Sequence, residues 1–169
     1  MKTQIRIFAM AMLLIGISIS TFAQVSATAS GSAKIVTPIS IANAGDMNFG
    51  NVAVSSTAGT VVLTPDGSRA KTGGVTLPAI IGTVSVAKFN VAGVPNFTYS
   101  ITLPSTFMTI TDPNSNTMTV DTWTSSPTVS GTLDVDGKQT VSVGATLNVA
   151  GSQVAGVYSG TFSVTVNYM

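Results

Sequence analysis

Between Gly156 and Met169 the chain reads GVYSGTFSVTVNYM, and from Tyr158 to Tyr168 its side chains alternate without a slip. Tyr158, Gly160, Phe162, Val164, Val166 and Tyr168 fall on one face of an extended chain; Ser159, Thr161, Ser163, Thr165 and Asn167 fall on the other. Successive side chains of a β-strand point to opposite faces, so apolar residues in one phase describe a strand with one face buried and one in water. β-Branched and aromatic side chains fill the apolar phase, as a pleated surface favours. No segment of the chain carries helical periodicity over a useful length. The stretch therefore predicts a strand from Gly156 to the end, in an all-β fold.

The remaining segments agree. Asn43-Ala44-Gly45-Asp46 reads as a turn and Ser55–Gly59 as a loop, while Pro38 restricts Ile35–Ile41 to an edge or a bend. Thr60–Thr64 and a segment near Gly74–Leu77 flank Pro65-Asp66-Gly67-Ser68, a turn whose glycine supplies φ > 0. In Gly82–Val91 the apolar phase changes between Val86 and Phe89, which predicts a β-bulge near Ala87-Lys88. Phe97, Tyr99, Ile101 and Leu103 point inward on the next strand. A short strand over Phe107–Thr111 and one over Thr117–Thr124 follow, and Asp136-Gly137 signals a two-residue hairpin. Short strands with turns every 8–12 residues or so predict an immunoglobulin-like Greek-key β-sandwich, with no second domain and no repeat.

The first residues read differently. Lys2 and Arg6 precede the apolar run Ile7–Ile19, and Ser20-Thr21-Phe22-Ala23 offers small residues for cleavage before Gln24. That order predicts a secretory signal peptide over residues 1–23, with a run too short to span a bilayer. Residues 24–34 then form an N-terminal arm and 35–169 the sandwich domain. Val25–Ile35 alternates as well, with Val25, Ala27, Ala29, Gly31, Ala33 and Ile35 on one face. These residues are small until Ile35, so the segment suits a flexible arm that enters a narrow groove; a disordered leader is the alternative.

Composition narrows the chemistry. With Lys2 and Arg6 removed, five cations face six Asp residues, so no basic patch is left to hold nucleic acid or an anionic membrane. The chain has no His, no Cys and no Glu, which removes the nucleophile–base triads and the His- or thiolate-ligated metal sites. Asp112-Pro113-Asn114-Ser115-Asn116 has the opening spacing of a calcium loop, but Thr117 and Trp123 stand where an EF-hand needs Gly and an acid. A turn describes it better than a weak surface calcium site. Asp134 and Asp136 are spaced as a carboxylate pair, yet beside a turn both are most simply solvated. Trp123 is out of phase with Met118 and Val120; it reads as core or core edge before it reads as a ring for stacking on sugars. No enzyme activity, cofactor or metal site is expected.

Two resemblances rest on these residues. Ala33–Ile39, Asn48–Val52, Gly73–Pro78, Val143–Val149 and Gly156–Tyr168 resemble the secreted bacterial family known as domain of unknown function 4402. More distantly, the chain is similar to chaperone–usher pilus subunits and spore-coat-U-type pilins. Those end in an alternating strand with a penultimate aromatic, here Tyr168, and a Gly fourteen residues from the end, here Gly156. An Asn-Phe-Gly near the first strand and an arm of small alternating residues with a Gly, here Gly31, also recur in them. This chain departs from them in lacking a disulfide.

The pilin resemblance implies β-augmentation: a sandwich missing one strand takes the strand of a periplasmic chaperone, then the arm of another subunit, head to tail. The donor residues are then Val25, Ala27, Ala29, Gly31, Ala33 and Ile35. The acceptor strand carries Gly156, Tyr158, Phe162, Val164, Val166 and Tyr168. The expected function is a secreted structural or adhesion subunit at the periplasm, cell surface or outside the cell, without catalysis. The alternative is a self-complete sandwich that binds a glycan or a host protein, for instance through Asp112–Asn116.

Overall fold

The structure, a computed structural model, describes residues 24–169; the expected signal peptide lies outside the described residues. Residues 24–38 form no strand and are exposed. From Ile35 onward the chain is one compact all-β unit.

Its longest strand, β11 (Lys138–Val149), organises the large sheet. Val141, Val143, Ala145, Leu147 and Val149 form one buried phase along it, each less than a tenth exposed. One edge of β11 pairs first with β6 (Ala87–Ala92), then with β3 (Ala53–Leu63), which lie end to end along it. The hand-over falls at Gly144, where a β-carbon would stand 2.1 Å from the Leu63 carbonyl oxygen, so only glycine lets the two strand ends meet. The other edge pairs with β9 (Thr117–Ser126), which in turn pairs with β8 (Met108–Thr111). β1 (Ser40–Gly45) pairs with β6 and β4 (Arg69–Thr76) pairs with β3 as the outer strands on that side, as β8 is on the other.

A smaller sheet sets β7 (Thr98–Thr102) between β10 (Ser130–Thr132) and β12 (Thr165–Tyr168). β2 (Asn48–Phe49) and β5 (Val84–Ser85) make a short ribbon. Every pairing is antiparallel, and the chain passes from one sheet to the other at β6–β7, β7–β8, β9–β10, β10–β11 and β11–β12. The result is an all-β sandwich, as the alternation requires.

One core cluster joins Ala87, Val91, Val141 and Val143 of the large sheet to Tyr99, Ile101, Val164 and Val166. A second gathers Val61, Val75, Ile110, Val120 and, from β11, Ala145, Leu147 and Val149. Met47 and Trp123 pack against both. Each such side chain removed from water contributes about 1.5–3 kcal/mol.

Four expectations are corrected. Ser55–Gly59 is not a loop: the ladder pairs Val54 with Val75 and Gly59 with Gly73, so the residues between bulge out within one strand. Asn43–Asp46 is strand as far as Gly45, and the turn chemistry appears as a bulge in which Gly45 N–H donates to the Asn43 side chain at 2.9 Å. Near Ala87-Lys88 the phase does change, with Val86 and Ala87 both buried, but there the chain leaves the ribbon for the large sheet and makes no bulge. The Asp136-Gly137 turn forms, with Gly137 at φ 73°, yet it is a corner and not a hairpin, because β10 and β11 enter different sheets.

Candidate functional site

The terminal segment keeps the predicted alternation and loses most of the predicted ladder. Val164 and Val166 are buried, Tyr158, Phe162 and Tyr168 are half-buried, and the residues between them are exposed. Regular pairing, however, covers only Thr165–Tyr168, matched to Thr102–Tyr99 of β7. Upstream the chain is fastened once, where Ser159 exchanges both backbone hydrogen bonds with Thr111 at 2.9 and 3.1 Å. Gly160–Val164, between these anchors, makes no backbone–backbone hydrogen bond among the described residues. The strand predicted from Gly156 is thus an extended segment with a four-residue ladder at its end. Sequence shows which way side chains face; whether a neighbour is there to complete the ladder is a property of the rest of the fold.

The side chains that fix this segment are specific. Tyr168 is a clamp: its hydroxyl accepts from Val94 N–H at 2.7 Å and donates to the Thr37 carbonyl at 3.1 Å. Gly93 makes room for it, since a β-carbon there would lie 2.2 Å from that oxygen. Phe97 meets the Tyr168 ring edge-on at 5.6 Å. Val166 and Val164 belong to the first core cluster. Phe162 stacks on Trp123 at 4.5 Å and meets Phe89 at 6.1 Å in a T-shape. Tyr158 donates to the Val154 carbonyl at 2.7 Å and accepts from Gln153 at 2.9 Å. Gly156 is exposed, its Cα beside the Asp112 carboxylate.

β12 has β7 on one side and no strand on the other among the described residues. β1, whose outer edge is likewise unpaired, touches it. Neither strand carries a charged residue. On the donor side, Val25 and Ile35 are more than nine-tenths exposed and Ala27, Ala29, Gly31 and Ala33 are exposed between them.

Asp66, Asp112 and Asp134 spend their carboxylates on turns. Asp112 is buried and accepts from Asn114 N–H, Asn116 N–H and the Asn116 amide at 2.8–2.9 Å. The Asn116 side chain, more than any other contact, holds its pKa below the usual carboxylate value. Asp134 accepts from Asp136 N–H and Lys138 N–H at 2.9 and 2.8 Å, capping the corner. No group of three or more His, Cys, Asp or Glu suited to a metal occurs among the described residues. None of their helices is long and apolar enough to cross a membrane.

Sequence reasoning missed why Trp123 changes phase. Thr122 takes a left-handed conformation at φ 49°, and Thr122-Trp123 face Ala145 alone, a bulge that turns the indole inward. The signal was present: an apolar phase even-numbered through Val120 and odd-numbered at Trp123 can be reconciled on one strand only by an extra residue.

A family model described as Domain of unknown function (DUF4402) matches residues 39–168, and the chain belongs to that family. Comparison with curated proteins and with solved structures gives no significant match.

Proposed function

With that membership as the premise, we propose that this is a secreted, non-catalytic structural subunit that assembles by β-strand addition, the arm Val25–Ile35 of one copy pairing with the open edge of β12 in another. The observation that carries the reading is the half-made terminal strand: apolar alternation runs from Tyr158 to Tyr168, but the ladder covers Thr165–Tyr168 on one side only. An unpaired edge is a template for another strand, and hydrogen bonds to it contribute about 0.5–1.5 kcal/mol each. Dimensions agree, since the eleven residues of the arm span about 36 Å when extended and Gly156–Tyr168 about 43 Å. Because donor and acceptor are different surfaces, the contact is head to tail and builds open chains. A periplasmic chaperone that lends a strand before assembly fits the same edge.

Light scattering on the chain from Gln24 across a concentration series tests this. The expected result is concentration-dependent growth that Ala29→Pro in the arm abolishes, since proline cannot donate to a ladder. A monomer at every concentration, with or without the proline, overturns it.

A further inference from the structure

Resting on the strand-addition reading, we infer that Phe162 sets which strands the open edge accepts, by filling the middle of the acceptor site so that only a strand with small residues at its centre can lie there. Phe162 sits in the span without backbone partners, half-buried, with its ring held between Trp123 of β9 and Phe89 of β6. A ring packed against two others from the large sheet does not swing aside without breaking both contacts. The donor arm matches this distribution. Its bulky residues, Val25 and Ile35, stand at its ends, and Ala27, Ala29, Gly31 and Ala33 lie between. Phe162 is the central residue of Gly156–Tyr168 and Ser30 that of Val25–Ile35. Directly opposed residues share a face, so the odd-numbered residues of the arm turn inward with Phe162 only one place off that centring; an antiparallel arm that sets Ile35 opposite Gly156, where there is no side chain to meet it, sets Ala29 opposite Phe162 and Val25 opposite Val166. A leucine there has no space, and overpacking of this kind weakens binding about ten- to a hundredfold.

The only tryptophan of the chain, Trp123, is stacked on Phe162, so its emission reports what happens there. The test titrates the chain from Gln24, dilute enough to be monomeric, with a labelled Val25–Ile35 peptide and with peptides carrying Ala29→Leu or Ala33→Leu. Anisotropy gives the affinity. The unmodified peptide is expected to bind and to shift the emission. Ala29→Leu is expected to bind at least about tenfold more weakly, and Ala33→Leu to lose less. In a Phe162→Ala chain the Ala29→Leu peptide regains its affinity. Phe162→Leu keeps an apolar contact should the alanine variant not fold, and binding of the unmodified peptide reports that either variant is intact. Equal affinity of all three peptides for the unaltered chain overturns the role of Phe162 and leaves strand addition standing. So does a loss at Ala29→Leu that neither Phe162 variant relieves. No binding of the unmodified peptide removes strand addition itself, and this inference with it.

Discussion

At the edge of the large sheet, β4 pairs Arg69 with Leu63 and Lys71 with Val61, so two cations stand on the face where the neighbouring strand buries its apolar side chains. At the edge of the small sheet, β12 puts Val166 and Tyr168 in the corresponding positions and carries no charge. β4 is further broken by Gly73 at φ 63° opposite the Ser55–Ala58 bulge. Inward-pointing charges and bulges prevent a further strand from adding to an edge, because docking would bury the charge or break the ladder. Both edges belong to one sandwich, so the difference does not come from a general lack of charge. Arg69 donates to the Phe49 and Asn51 carbonyls, exposed Lys71 guards the edge, and β12 is left clean.

If the two edges contribute alike to the core and differ only in what they offer outward, equivalent truncations should cost alike. Val75 on β4 and Val166 before the chain end are 1% and 7% exposed. Val75→Ala and Val166→Ala are each expected to lower unfolding free energy by about 1.5–3 kcal/mol in urea titrations. A loss under about 0.5 kcal/mol at Val166 alone would mean that β12 is not part of the core until another strand covers it. That would sharpen the contrast beyond what the geometry of a single chain displays.

The clamp at Tyr168 is next. Tyr168→Phe keeps the ring against Phe97 but leaves Val94 N–H and the Thr37 carbonyl without the hydroxyl they share. The expected cost is about 1–3 kcal/mol, seen in the same titration. An unchanged midpoint would show that water replaces the hydroxyl freely, and that Thr37, at the root of the arm, is not held by the terminal strand.

Acid separates the two regions more gently. Asp66 caps the β3–β4 turn, accepting first from Thr64 and then from Ser68, and these bonds lower its pKa. Asp112, whose pKa the Asn116 side chain lowers, caps the loop beside Gly156. A carboxylate depressed in the folded state stabilises above its unfolded value of about 3.9, and that stability is lost as pH falls through the folded value. Both turns should therefore weaken as pH falls below about 4, and neither between pH 7 and pH 5. Asp112→Asn and Asp66→Asn should each flatten the acid limb of stability against pH. Asp66 lies in water, so its share is the smaller. An acid limb unchanged in Asp112→Asn would detach that loop from the terminal segment's stability.

Much of this was legible in the residues, and the reason differs from place to place. The inward phase of Tyr158–Tyr168 follows from the geometry of an extended chain, so reading alternate residues was enough. The turn at Asp66-Gly67 follows from local backbone preference and forms as expected. What failed depends on partners far along the chain. Asp136-Gly137 has hairpin chemistry, but β10 finds β7 and β11 finds β6, and no local signal says so. Ser55–Gly59 looks like a loop because four of its five residues are small or polar and exposed; the ladder to β4 on both sides keeps it within a strand. The missing ladder at Gly160–Val164 is the same kind of fact, since no local signal says that these residues have no backbone partner among the described residues.

The last comparison has the smallest expected effect on stability and bears most directly on the edges. Asn167 is exposed on β12, on the face away from Val166 and Tyr168, and Asn167→Lys gives that edge a charge where β4 carries its own on the inward face. Lys71→Val does the reverse, giving β4 an apolar residue opposite Val61. Each change touches a solvent-facing or half-covered position, so unfolding free energy should move by no more than about 0.5 kcal/mol. Light scattering should nevertheless divide them. Asn167→Lys should weaken chain growth, since a strand laid against β12 must then accommodate a cation beside its own backbone. Lys71→Val should add association that the arm does not mediate and that Ala29→Pro does not remove. If Asn167→Lys assembles as the unaltered chain does, the clean edge is not where copies meet. If Lys71→Val stays as dispersed as before, β4 is protected by the Ser55–Ala58 bulge rather than by its charge, and the two edges differ in backbone shape more than in electrostatics.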